Sequence, residues 1–120
     1  MLKDNVKVLE GKAILKVPKD YMRKLTFYNP IAEFSRDMTI IFIDNIGKND
    51  LIVCDALCAL GARGIRICLE TNKVKEIWFN DYSKEAIKFL KENIKINNLE
   101  NISKIFNQDA CVLLSDSKRI

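Results

Sequence analysis

Along the chain the spacing of apolar and polar positions changes several times, and each change marks an element. Val6 to Leu9 and Ala13 to Val17 alternate or cluster apolar residues on either side of Glu10-Gly11-Lys12. Two such runs around a turn signal predict a short β-hairpin, ended by Pro18. Between Pro18 and Pro30 the segment YMRKLTFYN mixes aromatic and polar residues without a period and reads as a loop or short turn. Pro30 suits a first helical turn, and Ile31, Phe34, Met38, Ile41 and Phe42 follow at helical spacings until Gly47 stops the helix. That stripe is expected to pack on a sheet, with Arg36 and Asp37 on other sides of the helix.

From Leu51 the pattern alternates between strands and helices. Leu51 to Asp55, Glu76 to Asn80 and Ile102 to Phe106 read as strands. Gly64 to Glu70 and Ser83 to Asn97 read as helices, the second burying Ala86, Ile87, Leu90, Ile94 and Ile96. Ser83 is a suitable N-cap, Glu85 sits early where the helix dipole favours it, and Asn97 with Asn98 closes the helix. Asp109 opens a short helical stretch to Leu114. Strands separated by helices of this length imply right-handed crossovers and a parallel sheet, an α/β architecture. There is no repeat, low-complexity tract or interdomain linker.

The segment LIVCDALCALGARGIR carries the chemistry: an apolar strand delivers Asp55 and a loop with Gly61 and Gly64 to its C-terminal end, where open α/β sheets bind ligands. A carboxylate there repels pyrophosphate, and no G-x-G-x-x-G runs through the two glycines. It attracts the ammonium and sulfonium of S-adenosylmethionine instead. Asp81 and Asp109 end the second and third strands equivalently, so all three acids are expected along one crevice. For each, a loop cap is the plain alternative. Asp81 can accept from both ribose hydroxyls of an adenosine. Asp109 can accept from the adenine amino group, with the small Ala110 leaving room for the ring. Asp55 would face the amino-acid end of the donor, Phe27 offers an aromatic face, and Arg36 or Arg63 can pair with a carboxylate.

Composition narrows this picture. The chain has 120 residues, 48% apolar and 30% charged, with a net charge of +4, as expected of a single globular domain. That charge is compatible with an RNA partner without requiring one. No apolar run approaches the ~18 residues that cross a bilayer, so a cytoplasmic protein is expected. Cys54, Cys58, Cys68 and Cys111 form no C-x-x-C pair and read as buried reduced thiols, with no metal site. Histidine is absent, which removes the usual general base and the usual triads.

Two blocks resemble the archaeal and eukaryotic tRNA guanine-26 N2-dimethyltransferases. FYNPIAEFSRDMTI, from Phe27 to Ile40, is similar to that family's F-Y-N-P and R-D block, and DALCALGARGIRICLE, from Asp55 to Glu70, to its D-A-L-x-A-x-G-x-R-G-I-R loop. NDYS at Asn80 to Ser83 and the Asp109-Ala110 pair follow in the family's order. The resemblance implies a class I, Rossmann-like S-adenosylmethionine-dependent methyltransferase domain, truncated after its third strand and preceded by the hairpin and a helix. It places residues 1–50 as hairpin, FYNP loop and packing helix, and 51–120 as the first half of the methyltransferase domain. It implies that Phe27, Arg36, Arg63, Asp81, Asp109 and Ala110 bind S-adenosylmethionine, with Asp55, Gly61 and Gly64 shaping the loop and Arg66 ranked below Arg63. tRNA is the implied partner. The family's D-P-F-G segment is expected downstream of Ile120, so catalytic residues are not assigned, and these 120 residues alone are expected to bind donor without methylating. Rival readings are another S-adenosylmethionine enzyme, a non-catalytic RNA-binding module and, last, an NAD-binding domain.

Overall fold

The computed structural model describes residues 4–116. β1 (Asn5–Glu10) and β2 (Ala13–Pro18) form the expected antiparallel hairpin, with Glu10 opposite Ala13 across the turn. The segment read as a loop contains one helical turn, α1 (Tyr21–Lys24), closed by Leu25 in the left-handed region. Pro30 opens a 3-10 turn rather than the helix itself; Asn29 caps that turn by accepting from the Ile31 N–H at 2.9 Å. Behind it runs α2 (Glu33–Asp44), which ends two residues before Ile46-Gly47.

The remainder is the α/β alternation read from the pattern. β3 (Leu51–Asp55), β4 (Val74–Asn80) and β5 (Ser103–Phe106) form a parallel sheet in the order β3-β4-β5, connected by α3 (Ala62–Glu70) and α4 (Lys84–Ile96) and followed by α5 (Ala110–Ser115). Among the described residues β3 pairs only with β4, which leaves it on an edge of the sheet. Ser83 caps α4 through the Ala86 N–H, and Asp109 caps α5 through the N–H groups of Cys111 and Val112. Ile96 is only half-buried; the buried side of α4 also uses Phe89 and Asn93.

One core joins the hairpin to the sheet, with Ala13, Leu15 and Val17 packed into the same cluster as Ile65, Phe79 and Leu90. Two asparagines fix the hairpin's position. Asn93 accepts from Lys16 N–H and donates to Lys16 C=O, and Asn97 does the same with Ile14. Side-chain amides on a helix thus satisfy the backbone groups along one edge of β2.

The expected packing of α2 is reversed. Ile31, Phe34 and Phe42 are 80%, 73% and 67% exposed, Met38 and Ile41 are exposed too, and the helix buries Arg36 and Ile40. The reason lies in β1. Glu10 is 2% exposed, and a buried carboxylate needs cations more than the core needs one more apolar stripe. Among the cysteines, Cys58 is buried and Cys54 and Cys68 half-buried, but Cys111 is exposed; all four are free thiols.

Candidate functional site

The C-terminal ends of the strands are locked together by Asn80, the last residue of β4. Its side chain donates to the carbonyls of Ala56 and Gln108 and accepts from the Gln108 N–H, so the loops after all three strands are held by one buried amide. Asp81 follows, and both of its oxygens take backbone N–H groups: Oδ2 from Ala59 at 2.8 Å and Oδ1 from Ser83 at 3.0 Å. The first bond fixes the loop between β3 and α3.

Beside that loop lies a cavity of about 250 Å³, lined by residues of the α1-to-α2 connection, of α2 itself, of β3 and of the loop leading into α3. Three of its lining residues, Leu25, Phe27 and Ala59, have positive φ (55°, 63° and 49°) without being glycine. Such conformations cost on the order of 1–3 kcal/mol each and persist where surrounding structure imposes them, often at ligand sites. Gly61 (φ 96°) precedes α3, and a Cβ on it would lie 2.6 Å from Leu90. Gly64 sits where α3 crosses the sheet. A Cβ there would lie 2.5 Å from Phe79 and 3.1 Å from Asp55 Oδ2, so this glycine permits the close approach that frames Asp55.

Within the cavity two charged groups are incompletely satisfied. Asp55 Oδ2 is buried with no hydrogen-bond partner. Burial pushes the Asp55 carboxyl up to about 6, with nearby Asp81 adding to the rise, against the opposing pull of the Gly64 backbone and the Arg63 charge. Arg63 is held by Thr39 Oγ1 at 2.6 Å and by the carbonyl and hydroxyl oxygens of Ser35 at 3.2 Å, all neutral acceptors, and among the described residues it forms no ion pair. It stands in the first turn of α3, whose N-terminus has no side-chain cap and carries the positive end of the helix dipole. The cavity therefore offers an anionic and a cationic wall.

Arg36 lines the same cavity but is already engaged. It donates to Glu10 through Nε at 2.6 Å and Nη2 at 2.5 Å, donates to the Asn29 carbonyl at 2.9 Å, and lies 5.0 Å from the Tyr28 ring centroid. Glu10 also accepts from Tyr28 Oη at 2.7 Å and from Arg66 Nη1 at 3.0 Å. Arg66 in turn pairs with Asp37 and Glu70. Burial alone would raise the Glu10 pKa, but hydrogen bonds from Arg36, Tyr28 and Arg66 hold it below the usual carboxylate range.

Of the nine residues expected at the cofactor, Phe27, Arg36, Asp55 and Arg63 line the cavity. Gly61 and Gly64 shape the loop and helix beside it, and Asp81 is tied to its wall through Ala59. Asp109 and Ala110 stand apart at the start of α5, where Asp109 is exposed and its Oδ1 serves as the cap. Phe27 also packs on Phe89, with ring centroids 6.2 Å apart. Sequence reasoning missed Leu25, Ala59 and Glu10. A left-handed alanine has no local signature, and the role of Glu10 depends on arginines 26 and 56 positions away. Among the described residues no group of acids and cysteines is arranged to hold a metal ion.

The chain and its fold have counterparts among known proteins. A dimethyltransferase of Sulfolobus acidocaldarius, named tRNA (guanine(26)-N(2))-dimethyltransferase, is 39% identical over 94% of this chain, and one of the same name from Methanopyrus kandleri is 36% identical over 92%. The chain spans about a third of their length, 32% and 29%. The structure of Trm1 from Pyrococcus horikoshii in complex with S-adenosyl-L-methionine superposes with a TM-score of 0.79 at 33% identity, over 92% of this chain and 32% of that one. An S-adenosylmethionine-dependent methyltransferase from Agrobacterium tumefaciens, only 18% identical, superposes with a TM-score of 0.77 over 99% of this chain and 37% of its own, which shows the shared fold. The hairpin and parallel sheet thus have the class I methyltransferase architecture. The model of the N2,N2-dimethylguanosine tRNA methyltransferases matches residues 6–120, from the first strand of the hairpin onward, and the chain belongs to that family.

Proposed function

We propose that the chain is the donor-binding part of a tRNA methyltransferase that dimethylates the exocyclic N2 of guanine 26, and that its cavity receives the amino-acid end of S-adenosylmethionine. One observation carries this reading: the cavity sets an orphaned, buried carboxylate oxygen, Asp55 Oδ2, near a guanidinium, Arg63, whose hydrogen bonds go only to neutral oxygens. A zwitterion satisfies both at once. The donor's ammonium would take Asp55 Oδ2, and its carboxylate would take Arg63 and the N-terminus of α3. A cavity of about 250 Å³ suits that end alone, so the adenosine would extend over the strand ends toward Asp81, Asp109 and Ala110. Asp81 keeps acceptor capacity for the ribose hydroxyls because each of its oxygens accepts one backbone N–H and retains a further lone pair. Phe27 and Arg36 would form the wall opposite Asp55.

When bound, S-adenosylmethionine supplies an electrophilic methyl group on a cationic sulfur. The chain's share is to hold that group still, since an exocyclic guanine amine is a weak nucleophile and transfer depends on in-line placement. No residue here is assigned as the proton acceptor. The protein is expected in the cytoplasm; no described helix is long and apolar enough to cross a membrane.

Calorimetric titration with S-adenosylhomocysteine tests the reading. One-to-one binding that Asp81→Ala weakens at least tenfold is expected, whereas the absence of binding by the folded protein would refute it. A non-catalytic RNA-binding module predicts the latter.

A further inference from the structure

The outer face of α4 carries Lys84, Lys88, Lys91 and Lys95. At 3.6 residues per turn these four lie within a sector of about 60° and extend about 16 Å along the helix. All are exposed, and among the described residues none has a hydrogen-bond or ion-pair partner. Glu85 and Glu92 stand at i,i+3 or i,i+4 from Lys88 and Lys95, but among the described residues neither forms an ion pair with the row. Glu92 pairs with Lys16 at 3.7 Å, and Glu85 lies about a quarter turn away from the stripe.

Parts of this arrangement do nothing for the helix that bears it. Lys84–Lys88 and Lys91–Lys95 are like-charge pairs at i,i+4 spacing, each destabilising by roughly 0.2–0.5 kcal/mol. Lys84 also stands in the first turn, where the helix dipole disfavours a cation. The opposite side of α4 is rigidly placed by Asn93 and Asn97 on β2 and by its apolar contacts. The four lysines are therefore carried at fixed positions on one rigidly placed helix, with their side chains free to reach a partner. It also begins at the ligand edge of the sheet, because Asp81 accepts from the N–H of Ser83, the residue just before Lys84.

We propose that the lysine row of α4 is a docking surface for consecutive phosphates of the tRNA backbone, leading from the donor cavity away over the molecule. The proposal rests on the tRNA methyltransferase reading and adds a place where the acceptor is held. Lysines at i,i+3 and i,i+4 spacings repeat every 4.5–6 Å along the axis, close enough for successive phosphates to be met in turn. Such contacts position a nucleic acid without reading its sequence, and neutralising them releases counterions.

The test compares the wild-type protein with K84Q/K88Q/K91Q/K95Q and with the corresponding quadruple arginine variant, titrating unmodified tRNA between 50 and 200 mM salt. Loss of four phosphate contacts should make the slope of log K against log salt shallower by about 3 and lower affinity at least tenfold at 100 mM salt. The arginine variant should keep both, and S-adenosylhomocysteine affinity should be unchanged in all three proteins, which separates a lost docking surface from a lost fold. A glutamine variant with the wild-type slope overturns the proposal while leaving the methyltransferase reading intact. Wild-type protein that binds donor but not tRNA likewise overturns the docking proposal and leaves the donor-binding reading standing, whereas folded protein that binds no donor overturns that reading itself. Equal or tighter capture of wild type by phosphatidylserine vesicles, lost in the glutamine variant, assigns the row to a membrane and overturns the RNA assignment.

Discussion

Two charged clusters meet at Arg36, and they are opposite in state. Around Glu10 every charge has a partner: one carboxylate accepts four hydrogen bonds, from Tyr28, from Arg36 twice and from Arg66, and Arg66 is further tied to Asp37 and Glu70. Across the cavity, Asp55 Oδ2 is buried without a partner and Arg63 leans only on neutral oxygens. Both clusters are acids and arginines on neighbouring elements, so composition cannot tell them apart. Saturation can. A satisfied network fixes the positions of the hairpin, α2 and α3, whereas an unsatisfied pair has a cost in the free protein that only a ligand relieves.

The largest effect expected from breaking this contrast is at Glu10. Glu10→Ala leaves two buried guanidiniums short of their shared carboxylate, and removing one partner of a buried ionic cluster costs about 3–5 kcal/mol. Urea unfolding should show that loss. A change below about 1 kcal/mol would mean that the cluster is not a structural clamp.

The second effect separates the two arginines that line the cavity. Arg63→Gln should weaken S-adenosylhomocysteine binding about 10- to 100-fold, the worth of a charge-assisted pair, with little change in stability. Arg36→Gln should do the reverse, lowering stability first because it strips Glu10 of its bidentate partner. Binding of 5′-methylthioadenosine, which lacks the amino-acid end, should be insensitive to Arg63→Gln. Equal losses for both ligands would show that Arg63 does not face the donor's carboxylate.

How much of this was legible beforehand follows the range of the interactions. Ser83, Asp109 and the strand alternation are local signals, and the hairpin, the three parallel strands and both caps stand where the pattern puts them. The apolar stripe from Phe34 to Phe42 is an equally clear local signal and points the wrong way, because a buried acid in β1 draws Arg36 inward and turns that stripe out. Likewise the spacing that selects Arg36 and Arg63 as carboxylate partners cannot reveal that Glu10, lying in an ordinary turn motif, already holds one of them. Asp55 was legible as a charge at a strand end. The orphaned state of its Oδ2 was not, since that depends on Gly64 drawing α3 against Phe79.

The smallest effect on donor affinity, and the most specific, is a pH dependence. Burial raises the Asp55 carboxyl to about 6 in the folded protein, above its unfolded value near 3.8. The folded state therefore holds this proton more tightly: the stability contributed by the protonated carboxyl is complete below about pH 4 and is lost as pH rises through 6, by at most about 3 kcal/mol. Asp55→Asn should accordingly stabilise the free protein at pH 7.5 while weakening donor binding, a pair of opposite signs that a merely structural aspartate would not give. A cationic ligand stabilises the ionised form, so affinity for S-adenosylhomocysteine should fall roughly tenfold per unit below pH 6 and level off above it. With no histidine in the chain, no other side chain ordinarily titrates in that window. Calorimetry at pH 5, 6 and 7.5 on wild type and Asp55→Asn measures both curves. A wild-type profile flat across that range would place the ammonium elsewhere, and a dependence that survives Asp55→Asn would assign it to another group.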